Sequence, residues 1–188
     1  MRQLVVICSL MALLSGCTSI VNKVTTEPFK PDATGRTLGA DIDDAKMRTL
    51  IGVNLKKADP ELEKAHINIS VFNGLVLLTG EVSSATLKTL AGDVAREYTR
   101  VRQVYNELQV RGKTSIISRT NDSVISAKIK TKLAFSKGAN YSDLTVITED
   151  SVAYLLGTVS EATGNFAAET ASNTSGVRKV VKCLEYVE

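Results

Sequence analysis

The 188-residue chain writes one pattern twice. Gly74-Leu75-Val76-Leu77-Leu78-Thr79-Gly80-Glu81-Val82-Ser83 returns as Ser151-Val152-Ala153-Tyr154-Leu155-Leu156-Gly157-Thr158-Val159-Ser160, which sets Gly80 and Gly157 77 residues apart. Upstream, the helical stretch Met47 to Leu55 returns as Ile125 to Leu133. Downstream, Val101-Arg102-Gln103-Val104 returns as Val177-Arg178-Lys179-Val180. The order is kept and the offset drifts by only a residue or two, which is the mark of a duplicated domain. A unit of roughly 65–70 residues has a marginal core, so the two copies are expected to pack together.

The periodicities give each copy the order α-β-β-α-β. In the first, Asp43 or Asp44 is placed to cap a helix. Met47, Leu50, Ile51 and Leu55 then form an apolar stripe at helical spacing. Asp59-Pro60 ends that region or opens a short turn. Ile67, Ile69 and Val71 alternate with polar neighbours as a strand does. Asn73-Gly74 is the strongest short hairpin signal, because both residues tolerate positive φ. Leu75 to Val82 reads as the return strand. Ser83 or Ser84 caps a helix with Leu87, Leu90, Ala91, Val94, Ala95 and Tyr98 inside. Gln103 to Val110 closes the unit, with Val104, Leu108 and Val110 on one face.

Gly112 to Thr120 reads as a polar connector. Asn121, Asp122 or Ser123 then caps a helix ending near Ser136. The second hairpin turns at Glu149-Asp150-Ser151, the second helix covers Glu161 to Thr174, and the last strand covers Val180 to Val187.

The N-terminus carries a different message. Arg2 gives a positive start, and Leu4 to Leu14 is an apolar run of signal-peptide length, too short to span a bilayer. It ends in Leu14-Ser15-Gly16-Cys17, which resembles a bacterial lipobox. The resemblance implies cleavage before Cys17 and acyl chains on that residue. Thr18 in the next position leans towards the outer membrane. Residues 17–40, with Pro28, Pro31, Gly35 and Gly39, read as an acylated cysteine and a flexible tether. The expected division is 1–16 signal peptide, 17–40 anchor and tether, 41–112 first domain, 113–120 connector and 121–188 second domain.

Losing residues 1–16 removes one charged side chain, Arg2, leaving +2 of the formal +3. That mild charge on an exported chain gives no reason for a nucleic-acid partner. Cys8 leaves with the signal and Cys17 is acylated, so Cys183 stands alone. A small residue in a strand is its expected role, with an intermolecular disulfide as the alternative. No catalytic set is visible. The single histidine, His66, sits at a strand entrance and reads as a plain surface residue. No His/Cys cluster has metal-ligand spacing, and Asp41, Asp43 and Asp44 fit helix capping better than a metal site.

An aliphatic strand, Asn73-Gly74-Leu75-Val76-Leu77-Leu78-Thr79-Gly80-Glu81-Val82-Ser83, a helix and a closing strand together resemble the BON domain. The second copy repeats the pattern and keeps Gly176-Val177. The first copy has Arg100 where the family has that glycine, and the second has Ser151 in place of the hairpin glycine. A lipobox followed by two such domains resembles the dual BON-domain outer-membrane lipoproteins of Gram-negative bacteria. The resemblance implies an α+β fold of two tandem BON domains, each with a three-stranded mixed sheet packed against two helices. It also implies a non-enzymatic, periplasm-facing protein that binds anionic phospholipid and supports outer-membrane integrity and envelope stress resistance. Its only prosthetic chemistry would be the lipid on Cys17.

One feature rises above scaffold. In the helix Val124 to Ser136, Ile125, Ile129 and Leu133 form the core stripe. Val124, Lys128, Thr131 and Phe135 share a different face at about 100° per residue. Lys130, Lys132 and Lys137 lie elsewhere around the helix. Apolar tips interleaved with lysines suit an anionic bilayer surface, where each lysine contributes about 1 kcal/mol. The resemblance points to the same helix, so Val124, Lys128, Thr131, Phe135 and Lys132 are the candidate phospholipid-binding residues. The bland alternative is a solvated lysine-rich helix with Phe135 tucked into the core. The first copy has Leu50 and Val53 where the second has Lys128 and Thr131, which suggests burial of that helix against the second copy. The rival function is an envelope adaptor that receives a protein partner on an exposed strand edge or at Val181 and Cys183.

Overall fold

In a computed structural model, which describes residues 38–112, 116–136 and 141–187, the hairpin signals are realised directly. Asn73 and Gly74 both have positive φ, 47° and 77°, the geometry whose twist suits a two-residue turn. They join β1 (His66–Phe72) to β2 (Leu75–Val82), antiparallel from Phe72↔Leu75 to His66↔Glu81. Asp150 and Ser151 turn the same way, at 49° and 61°, with no glycine. They join β5 (Leu144–Glu149) to β6 (Val152–Val159).

Each hairpin is flanked by helices, three in the first domain and two in the second, and closed by a parallel strand. In the first domain these are α1 (Leu38–Ala58), a short α2 (Pro60–Lys64), α3 (Ala85–Arg96), and a last strand in two pieces, β3 (Gln103–Asn106) and β4 (Gln109–Val110). In the second they are α4 (Ile116–Phe135), α5 (Glu161–Ser172) and β7 (Lys179–Tyr186). β3 and β4 pair parallel with β2, and β7 pairs parallel with β6, so both sheets are mixed. Ser84 and Ser160 cap α3 and α5 by accepting the amides of Leu87 and Thr163. Asp59 caps α2 through the Glu61 amide, with Pro60 in the first helical position. The fold class is the expected one: α+β, two tandem units.

The repeated residues have physical jobs. A Cβ on Gly80 would lie 2.0 Å from the His66 carbonyl oxygen, and a Cβ on Gly157 would lie 2.0 Å from that of Asp143. Both glycines exist because one backbone crosses another there. Arg102 Nε donates to the Asn73 carbonyl (2.8 Å), and Arg178 Nη2 donates to the Asp150 carbonyl (2.7 Å). The repeated arginine therefore ties the loop before the last strand to the hairpin.

Two aspartates correct the expected caps. α1 starts at Leu38, inside the stretch read as tether, and α4 starts at Ile116, inside the stretch read as connector. Asp43, Asp44 and Asp122 thus lie well within helices. The buried Asp44 carboxylate accepts the amides of Asn73 (2.6 Å) and Gly74 (3.2 Å). Asp122 accepts those of Asp150 (2.8 Å) and Ser151 (2.7 Å). Each first helix clamps its own hairpin. Asp43 pairs with Arg100, whose φ is not positive. The first copy therefore does without the family glycine by taking a different backbone there, whereas Gly176 keeps φ +99°.

Alternate residues of the central strands bury both faces. Val76, Leu78 and Val82 of β2 meet Met47, Ile51, Leu55, Leu62 and the inner face of α3. Ala153, Leu155 and Val159 of β6 meet Ile125, Ile129, Leu133 and α5. The other faces meet each other: Phe72, Leu75 and Leu77 pack with Tyr154, Leu156 and Cys183. Both domains lie in one compact unit, Arg36–Glu188, built as helices, sheet, sheet, helices. A three-stranded sheet covered on one side leaves the other side bare, and the second copy covers it.

Several expectations fail here for that reason. Leu50 and Val53 are 37% and 41% exposed, because the copies meet through their sheets and not through α1. Val181 and Cys183 face the junction between the sheets and are no landing strip for a partner. Cys183 is fully buried, and burial, with the Glu107 carboxylate nearby, pushes its thiol up to about 12. An intermolecular disulfide has no accessible sulfur to use. Val110 is 50% exposed, beyond the point where the break at Glu107 and Leu108 interrupts the strand. The signal peptide, Cys17 and the tether up to Thr37 lie outside the described residues, as does Lys137.

Candidate membrane-facing helix

α4 is held at four points. Ile125, Ile129 and Leu133, one turn apart, sink into the second core at 1%, 0% and 3% exposure. Asp122 grips the hairpin, and Ser126 Oγ lies 2.8 Å from Thr148 Oγ1 on β5. Lys132 Nζ donates to the Asn173 carbonyl and to Thr174 Oγ1, both at 3.0 Å. α5 has no basic residue in its own last turn, so Lys132 supplies the charge that suits a helix C-terminus. Thr174, where the first copy has Tyr98, is buried and passes its hydroxyl hydrogen to the Thr170 carbonyl. At its end α4 is stopped by Ser136, whose Oγ and amide both donate to the Leu133 carbonyl.

With its core face fixed, α4 presents the opposite stripe outward. Val124 is 47% exposed and Phe135 is 84% exposed. Lys128 and Thr131 are exposed between them. Phe135 is therefore not tucked into the core. Lys132 is exposed as well, but its ammonium is already engaged, so it braces α5 and is a weaker candidate for headgroup contact than Lys128. α1 carries its own outward stripe of Ile42, Leu50 and Val53 on the far outer layer of the sandwich.

The junction between the sheets holds a polar set that sequence reasoning missed. Asn68 Nδ2 donates to Glu149 Oε2 at 2.7 Å, and His66 Nε2 lies 3.9 Å from Glu149 Oε1. His66 is thus half-buried against the other domain, not a plain surface residue. Arg111 bridges to Asp150 (2.9 Å) and Glu81 (3.5 Å). Arg102 takes Glu185 in a two-pronged pair, 2.7 Å on each arm. Each hairpin region is thereby tied to the far end of the other domain's last strand, a head-to-tail stacking of the two sheets.

Two of these carboxylates respond to pH in opposite senses. The hydrogen bond from Arg102 holds Glu185 below the usual carboxylate value. Burial pushes Glu149 above 4.5, against the lowering effects of Asn68 and His66. A raised acid binds its proton more tightly in the folded state, so its ionised form costs stability at neutral pH, and that cost fades as pH falls. Glu149→Gln should thus be as stable as the wild type or more so at pH 7. The difference should shrink as the pH approaches 4.5. Denaturant unfolding of both proteins at the two pH values checks this. A loss of stability that persists at both would mean that Asn68 requires a carboxylate partner.

Among the described residues, no group of three or more His, Cys, Asp or Glu side chains is placed to hold a metal ion. No described helix is long and apolar enough to cross a membrane.

Residues 43–112 and 121–188 each match the BON domain. The chain is 31% identical over 195 aligned positions to the outer membrane lipoprotein DolP of Haemophilus influenzae, covering 100% of this chain and 97% of that protein. It is 33% identical over 163 positions to the 21 kDa hemolysin of Actinobacillus pleuropneumoniae, covering 87% and 82% respectively. Among solved structures, the C-terminal domain of CdsD, a structural protein of the type III secretion system of Chlamydia trachomatis, aligns with a TM-score of 0.29 at 11% identity. That alignment covers 77% of this chain and 67% of the other, a likeness too low to carry an argument. With two matched domains and a full-length lipoprotein relative, the chain belongs to the BON-domain family, as an outer-membrane lipoprotein with two BON domains in tandem.

Proposed function

We propose that this lipoprotein is held by acyl chains on Cys17, faces the periplasm, and lays α4 of its second BON domain on an anionic phospholipid surface, supporting envelope integrity under stress. Residues 1–16 would be the signal peptide and 17–40 the anchor and tether, with 38–40 already in α1; 41–112 and 121–188 would be the two domains, and 113–120 the connector, with 116–120 already in α4. The observation that carries this reading is Phe135, 84% exposed at the end of a helix that also exposes Val124 and Lys128. A phenylalanine in water gains by entering the apolar edge of a bilayer, and lysine beside it gains from anionic headgroups. The chemistry is recognition without catalysis.

The test is sedimentation of the unit Arg36–Glu188 with vesicles. Lys128→Glu with Phe135→Asp should weaken binding to anionic vesicles by about tenfold or more, roughly 1.4 kcal/mol per factor of ten, with an unchanged circular dichroism spectrum. Salt should weaken the wild type, and zwitterionic vesicles should bind less. Unchanged binding by the double variant would sink the proposal. A second reading, an envelope adaptor, draws on Ile42, 67% exposed, with Leu50 and Val53 on the outer layer opposite α4. A surface turned away from a docked α4 remains available to a protein. Crosslinking from Val53 to one abundant envelope protein, without vesicle binding, would favour it.

A further inference from the structure

The two copies contribute unequally to the junction between the sheets. Aligning Gly74-Leu75-Val76-Leu77 with Ser151-Val152-Ala153-Tyr154, and Val104 with Val180, matches Phe72 to Glu149, Leu77 to Tyr154 and Cys183 to Glu107. Phe72, Leu77 and Cys183 are buried together in the apolar patch. At their counterparts, two carboxylates and a phenol replace three weakly polar or apolar side chains. A junction held by apolar contact loses stability through such an exchange. Departures of this kind from the local rule are expected where function demands them.

Around these residues the sheets leave a cleft of about 190 Å³. That is below the usual range for drug-sized ligands, about 300–1,000 Å³, so its occupant has only a handful of heavy atoms. Glu107, Glu149 and Tyr154 line it, together with the exposed Arg178 and Lys179. Tyr154 is 2% exposed, yet its hydroxyl has no hydrogen-bond partner among the described residues. Burial holds its phenol above the usual value, and the charges of Glu107, Glu149 and Asp150 add to this, so the hydroxyl lies in the field of those carboxylates. Glu149 Oε2 accepts from Asn68, but Oε1 is 3.9 Å from His66 Nε2, beyond a hydrogen bond. Asp150 is neutralised by Arg111 and Arg178. The half-buried Glu107 carboxylate and the Lys179 ammonium have no ion-pair partner among the described residues.

We propose that this cleft between the two domains binds a small amino acid, with its ammonium on Glu107, Glu149 and Tyr154 and its carboxylate at Lys179. A primary ammonium has three N–H donors and no acceptor, which suits two carboxylates and a phenol oxygen. Charge excludes the simpler occupants. A plain anion meets Glu107 and Glu149, and a plain cation meets Lys179 and Arg178. A zwitterion satisfies both walls. Arg178 already serves Asp150, so Lys179 is the main contact for the carboxylate. The bound ammonium would also compensate the burial of Glu149, whose ionised form is otherwise disfavoured.

The experiment titrates the unit Arg36–Glu188 with glycine, β-alanine and γ-aminobutyrate, and separately with butylamine and butyrate, following backbone amide resonances. Saturable shifts at Gly80, Val152, Tyr154 and Lys179 are expected with at least one of the amino acids. Butylamine and butyrate should each bind about tenfold more weakly than that amino acid. Tyr154→Phe removes only the hydroxyl, and Glu107→Gln removes only the charge. Each should weaken amino-acid binding about tenfold, the usual effect of losing a hydrogen bond to a charged group, with unfolding midpoints at or above the wild-type value. Lys179→Ala should weaken the amino acid and leave butylamine unchanged. Shifts that fail to saturate with all three amino acids would mean that water alone fills the cleft, and would overturn the proposal. Butyrate binding as tightly as the amino acids, or full binding by both Tyr154→Phe and Glu107→Gln, would overturn it equally. These variants leave α4 untouched, so vesicle docking should not change, and the two readings stand or fall separately.

Discussion

Gly80→Ala is expected to lower the unfolding free energy by about 3 kcal/mol or more, among the largest effects of any single methyl group in the chain. Two costs combine. The added Cβ would lie 2.0 Å from the His66 carbonyl oxygen, so β1 must move away from β2 at the point where the sheet begins. The residue also sits at φ +114°, which an L side chain rarely adopts. Gly157→Ala meets the same overlap with Asp143 but at an ordinary φ. It should therefore be costly yet milder, and the difference between the two variants isolates the backbone term. Urea unfolding of each variant measures both. If Gly80→Ala costs less than about 1 kcal/mol, the strand crossing is looser than its geometry implies.

What can be read from the chain follows from the range of each interaction. The hairpin at Asn73-Gly74, the cap placed at Ser83 or Ser84 and found at Ser84, and the core stripe of α4 are fixed by neighbours within a turn or two, and local pattern shows them. Asp44 and Asp122 mislead because an aspartate near a helix start is most often a cap. Their true partners are amides about thirty positions on, which no local pattern reveals. The outward stripe of α4 is legible because the core stripe defines its opposite. The same logic applied to α1 goes astray at Leu50 and Val53, where apolar character does not mean burial. The unbroken run Leu75–Leu78 announces a strand buried on both faces, but what lies on the second face cannot be read from it.

The largest effect is expected at the junction between the sheets. Leu77→Asp should cost about 4–5 kcal/mol or more, because a carboxylate there has neither water nor a partner. Leu77 is 1% exposed, and its surroundings are Phe72, Leu75, Tyr154, Leu156 and Cys183. The pairs that fringe this patch, Arg102 with Glu185 and Arg111 with Asp150, are partly solvated and each contributes little by itself. The apolar patch must therefore carry most of the adhesion, and each half-sandwich would expose it if separated. It follows that the wild type should unfold in one transition, with helix dichroism and tyrosine fluorescence coincident, since two of the five tyrosines, Tyr105 and Tyr154, lie at the junction and the helices report the outer layers. The milder Leu77→Ala and Leu156→Ala should each cost about 2–4 kcal/mol, and together they should depart from additivity by more than about 0.5 kcal/mol. Strict additivity with two separate transitions would mean that the copies are independent beads. A single coupled transition would mean that each copy completes the other's sheet, so that the duplication is a condition of folding and the outward faces of α1 and α4 are free to differ.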